Sequence, residues 1–165
     1  MMATQLRDFA TSIVAVVEPE TNALTVARLM RQHHVGAVVV VEAQERSRPV
    51  GIVTDRDLVL ELIAEGLDPA VFTAGDIMSI NPVLASPGMD AMDAVQLMSA
   101  HRLRRLIIAD EADRLVGIVT MEDVLELLTR ELANLASGVV GARDREVSER
   151  GKVYGETIGH PQDRV

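Results

Sequence analysis

Gly51-Ile52-Val53-Thr54-Asp55-Arg56-Asp57-Leu58 returns downstream as Gly117-Ile118-Val119-Thr120-Met121-Glu122-Asp123-Val124. Each copy is a glycine, a β-branched apolar run, a Thr, two variable residues and an Asp. Such a run fits a pleated surface, so Gly-Ile-Val-Thr predicts a buried strand. The residues that follow, Leu58 to Ile63 and Val124 to Leu128, carry apolar side chains at helical spacing. Thr and Asp therefore stand at a strand-to-helix turn. There they can cap the helix by accepting from first-turn N–H groups. They can also form a binding site, a hydroxyl and a carboxylate beside amides that favour anions.

The duplication extends outward from this motif. At an offset of 68 residues Asp8 falls on Asp76, Pro19 on Pro87, Ala23 on Ala91 and His33 on His101. Past the middle strand the second copy is two residues shorter, and the offset becomes 66. Each unit reads as entry segment, short strand, Pro-containing turn, helix, strand, charged hairpin, Gly-Ile-Val-Thr strand and closing helix. The first strands are expected at Val14–Val17 and Val83–Ala85, and Gly66 is expected to end the closing helix of the first copy. The fold class is α/β (α+β), two β-α-β-β-α repeats at 8–68 and 76–134, joined by a connector at 69–75. One such unit has too few strands to bury its own faces, so the two are expected to share a core with pseudo-two-fold symmetry. A charged tail, 135–165, is expected to be partly helical or disordered.

Bulk composition removes several functions. Apolar residues make up 48% and aromatics 2%, which predicts an aliphatic core. The net charge of −9 argues against a nucleic-acid surface. The absence of cysteine removes thiol catalysis and disulfides. The four histidines show no metal-ligand spacing, and His33 and His101 suit helix C-termini. Met30, Met78 and Met98 read as core filler. No apolar run approaches the roughly 20 residues that span a bilayer, so a cytoplasmic protein that binds no membrane is expected.

The two in-register copies, each with its Pro-turn and Gly-Ile-Val-Thr-x-x-Asp turn, resemble a tandem pair of CBS domains, the Bateman module. The likeness covers about 8–130, with a degraded entry motif in the first copy, where Phe9-Ala10 stands for Ile77-Met78. It implies a regulatory unit and not an enzyme. Adenosine-containing ligands, AMP first among them, would bind in two clefts between the repeats, and no other cofactor is implied. The expected partners are a second copy in a homodimer and a regulated protein.

Carried onto this chain, the family pattern places Asp123, Thr120, Ile118 and the basic pair Arg104-Arg105 around one cleft. Ile13, Ala15, Val35, Gly36 and Ala37 of the other repeat would form its adenine slot. The second cleft would hold Asp57, Thr54 and Ile52, with Asn81, Val83 and Leu103 opposite. Gly36 and Ala37 occupy the positions that match Arg104 and Arg105, so this half is expected to lack the phosphate-binding arginine unless Arg56 or an arginine of a partner protomer substitutes. The competing function is a ligand-free scaffold that recruits a partner through its surface or tail.

Overall fold

The computed structural model describes residues 4–45 and 47–157, with side chains through 151. Two compact units result, Met1–Val124 and Leu125–Val165.

The first unit is written twice. Strand β1 (Val16–Val17) lies parallel to β2 (Ala37–Val41), which pairs antiparallel with β3 (Pro49–Thr54). In the second copy β5 (Leu84–Ala85), β6 (Arg105–Ala109) and β7 (Leu115–Thr120) repeat that arrangement. Helices α1 (Ala23–His33) and α4 (Ala91–His101) cross between the parallel strands. Asn22 accepts from the Thr25 amide at 2.8 Å to start α1, and Asp90 accepts from the Met92 amide at 2.8 Å to start α4. Ala23, Val26 and Met30 are buried on α1, and Ala91, Ala94 and Met98 on α4, the same three-then-four spacing in both. Strands β2 and β6 are buried along nearly their whole length and carry the core between them. Val39, Val41 and Ile107 join the two sheets in one apolar cluster.

The leading segments are exchanged between the repeats. Leu6, which opens the chain's first helical turn (Leu6–Asp8), is fully buried in the core of the second repeat. Its amide donates to the Met89 carbonyl at 2.9 Å. Reciprocally, α3 (Ala74–Ile77) buries Ala74 and Ile77 in the core of the first repeat, where the Ala74 amide donates to the Thr21 carbonyl at 2.7 Å. Strand β4 (Ser79–Ile80) continues that exchange by pairing with the edge of β3. Thr11 makes the equivalent bridge to Ile118 on β7. Glycine makes both crossings possible. A Cβ on Gly117 would stand 2.6 Å from the Thr11 carbonyl oxygen, and one on Gly51 would strike the Met78 side chain.

Three local features differ from the sequence expectations. The first strand of each repeat is shorter, two residues in both cases, because only Val16–Val17 and Leu84–Ala85 find ladder partners. The closing helix of the first repeat, α2, opens with one α-turn (Asp55–Asp57) and continues with π geometry over Leu58–Ile63. There the Ala64 amide donates to the Val59 carbonyl at 2.8 Å, and Gly66, at φ +69°, ends the helix. In the second repeat α5 is a regular helix that runs Met121–Thr157, through much of the segment read as tail. Residues 158–165 of that tail lie outside the described residues.

Candidate functional site

Each Gly-Ile-Val-Thr strand ends in a reciprocal cap. The Asp57 Oδ2 accepts from the Thr54 amide at 2.7 Å and from the Thr54 hydroxyl at 2.8 Å, while the Thr54 Oγ1 accepts from the Asp57 amide at 3.2 Å. Thr120 and Asp123 reproduce it at 2.8, 2.9 and 3.2 Å. A third copy, Thr73 and Asp76 with distances of 2.8, 2.8 and 3.3 Å, begins α3 and lines neither cleft described below. Its carboxyl is held below the usual carboxylate range, first by the Thr73 amide and then by the Thr73 hydroxyl. The Thr-x-x-Asp pattern is therefore a helix start in all three places. The cap consumes the threonine proton and one carboxylate oxygen. Among the described residues the Oδ1 atoms of Asp57 and Asp123 accept no hydrogen bond, so each keeps one acceptor for a ligand.

Two clefts flank the contact between the repeats. The wider one, about 480 Å³, contains Thr54 and Asp57 of the first repeat. Ile52, Asn81, Val83 and Leu103, expected around Asp57, all line it. Four arginines, Arg56, Arg102, Arg104 and Arg105, also line it, and they outnumber the carboxylates there, Asp55 and Asp57. Arg104 is ion-paired to Glu122. The Glu122 carboxyl lies below its ordinary range, held down first by its own backbone amide and then by the Arg104 guanidinium. Arg56, Arg102 and Arg105 make no ion pair among the described residues. Arg102 sits at φ 55° as the residue that ends α4, a conformation that turns the chain into the cleft wall.

The narrower cleft, about 180 Å³, brings together Thr120, Asp123 and Ile118. Opposite them stand Ile13, Ala15, Val35, Gly36 and Ala37. Arg105 reaches this cleft as well as the wider one, whereas Arg104 lines only the wider. The arginines thus converge on the Asp57 side, the half for which the sequence comparison of the repeats supplied only Gly36 and Ala37. The narrower space falls below the range of about 300–1,000 Å³ usual for small-molecule sites, and the wider lies within it. Among the described residues no three His, Asp or Glu side chains gather as a metal site, and no helix is long and apolar enough to cross a membrane.

The duplicated architecture decides the family. The model of the CBS domain matches twice, over residues 6–64 and 74–130. The chain belongs to the CBS-domain family. It is a tandem CBS pair, and its curated relatives include the CBS domain-containing protein YhcV of Bacillus subtilis, 38% identical over 135 residues, which are 82% of this chain and 91% of the relative. An uncharacterized protein of Methanopyrus kandleri is 37% identical over 127 residues, 77% of this chain but only 64% of the relative's length. Among solved structures, a CBS domain protein of Pyrobaculum aerophilum complexed with AMP superposes with a TM-score of 0.68 over 76% of this chain and 99% of that one, at 22% identity. At that identity the likeness establishes the common fold of the CBS pair.

Proposed function

We propose that this CBS pair is a regulatory, non-catalytic module whose Asp57 cleft takes a phosphorylated adenosine ligand. The observation that carries the reading is the basic wall facing Asp57 in a cleft of ligand size, within a chain whose net charge is −9. The free Oδ1 of Asp57 suits a ribose hydroxyl donor. Ile52, Val83 and Leu103 supply apolar surface for a planar base. The guanidinium forks of Arg56, Arg102 and Arg105 suit phosphate oxygens. Because its proton is committed to Asp57, the Thr54 hydroxyl meets a ligand as an acceptor. Complex formation between AMP and the Pyrobaculum aerophilum CBS protein supports adenine as the base.

Walls from both repeats meet in this cleft, so a ligand there favours one arrangement of the repeats over others. That differential affinity is the condition for a population shift that a regulated protein can read. A homodimer in which two pairs act together belongs to the same proposal. The Asp123 cleft, at about 180 Å³, favours the ligand-free role for that half of the module.

Calorimetric titration with adenosine, AMP, ADP and ATP tests the reading. Arg105→Ala should weaken AMP by about 10- to 150-fold, the value of one charge-assisted hydrogen bond of about 1.5–3 kcal/mol, and leave adenosine nearly unchanged. Equal weakening of both ligands would remove the phosphate role. No binding of any of the four ligands to the unaltered protein would leave the scaffold function.

A further inference from the structure

Helix α5 continues past residue 130, where the second CBS match ends, and its continuation carries an unpartnered apolar seam. Leu125, Leu128, Leu132, Leu135 and Val139 alternate three and four residues apart and are 57, 39, 66, 67 and 70% exposed. Exposed Ala142 extends the series. This is the a/d spacing of a coiled coil. The same stretch is a weak helix by itself. Gly138, Gly141 and Gly151 interrupt it, with open space around each, and Val139 and Val140 are β-branched. A weak helix with a regular apolar seam gains its stability from packing on a partner.

We infer that this seam is a self-association surface whose occupant is the same helix of a second copy, running antiparallel. Antiparallel alignment about the midpoint of Leu132 and Leu135 stacks Leu125 on Ala142, Leu128 on Val139 and Leu132 on Leu135 of the other copy. By symmetry it gives six apolar layers with no charged residue in them. It also sets Arg145 beside Glu122 of the other helix, which already pairs with Arg104 of its own chain, and Arg143 beside the same acidic opening turns, where Glu126 lies. A parallel pair would fill the same layers but would bring Arg145 of one copy against Arg150 of the other and stack the acidic turns on each other. Charge therefore selects the antiparallel form. The seam residues of two helices would together remove on the order of 1,000 Å² from water, the lower bound for a specific interface. The inference gives the proposed homodimer its interface and rests on the helix alone, so its failure leaves ligand binding in the Asp57 cleft untouched.

Sedimentation equilibrium of the full chain at tens of micromolar, without nucleotide, should give a dimer. The doubly substituted Leu132→Glu/Leu135→Glu protein should be monomeric while the thermal transition of the CBS pair is retained. The chain has no cysteine, so introduced thiols report orientation without background. An oxidised mixture of L128C and V139C proteins should form the mixed cross-linked dimer, and L128C alone should not cross-link. A monomeric unaltered protein, a dimer that survives the double substitution, or efficient self-cross-linking of L128C would each overturn the inference.

Discussion

The three Thr-x-x-Asp caps share one geometry, and this separates the two roles of Asp57 experimentally. Replacing Asp57, Asp76 or Asp123 by Ala removes a carboxylate that accepts from the amide and hydroxyl of its threonine. Loss of such a cap costs about 0.5–2 kcal/mol. For a unit of this size that corresponds to a fall in melting temperature of about 2–4 °C per kcal/mol. Asp57 and Asp123 are half-buried and Asp76 is exposed, so Asp76→Ala should lie at the lower end. Ligand affinity should divide the three differently. Only Asp57 faces the wide basic cleft with an uncommitted oxygen, and losing one charge-assisted hydrogen bond of about 1.5–3 kcal/mol should weaken AMP by about 10- to 150-fold. Asp76→Ala, which lines neither cleft, should bind as the unaltered protein does. Thermal unfolding measures the first quantity and calorimetric titration the second. If Asp57→Ala and Asp76→Ala lose stability alike and neither loses affinity, the Asp57 carboxylate is a cap and nothing more.

Two further outcomes follow from the packing and the charges. Gly117→Ala should destabilise by about 1–3 kcal/mol and by more than Gly51→Ala, since the new methyl stands 2.6 Å from the rigid Thr11 carbonyl oxygen in the first case, whereas in the second it meets the movable Met78 side chain and reaches the Ser79 carbonyl oxygen only at 3.0 Å. Equal losses in chemical denaturation would show that Met78 and the Ser79 carbonyl do not give way. Asp76, Asp110 and Glu122 all have folded-state values below their ordinary 3.8 or 4.5. Depressed carboxyls contribute stability that is complete above those ordinary values and is lost as the pH falls through the lower folded values. Denaturation midpoints should therefore be insensitive to these groups above about pH 5, begin to decline below 4.5 through Glu122 and decline further below 3.8 through Asp76 and Asp110, and a midpoint that rises on acidification through that window would contradict the assignment.

The duplicated turn made the fold readable, because the same physical demands recur at matched positions. A β-branched run must be buried, a helix start must satisfy its amides, and Ala-x-x-Val-x-x-x-Met or Ala-x-x-Ala-x-x-x-Met presents one apolar face. The exchange of leading segments was not readable at this level. Leu6 and Ile77 are ordinary apolar residues, and nothing in their immediate neighbours says which repeat buries them. The π geometry of Leu58–Ile63 is equally silent, since its apolar spacing suits a common helix.

The same gap displaced the arginines. Matching repeat to repeat assigns Arg104 and Arg105 to the turn of their own repeat, around Asp123. Yet each cleft is bounded by the strand-to-helix turn of one repeat and by the leading segment and middle-strand start of the other. The end of α4 therefore delivers Arg102 and Arg104 to Asp57, while Arg105 stands at the boundary of both clefts. Duplication copies the backbone and its caps, because every copy must fold. It does not copy the charge, because the matching positions Gly36 and Ala37 carry none. The two clefts have diverged where folding imposes no demand: one is wide and cationic, the other narrow and nearly uncharged beyond Asp123 and Arg105. That asymmetry, more than the shared Thr-x-x-Asp pattern, is the evidence for a binding role, since a cap alone requires no arginine.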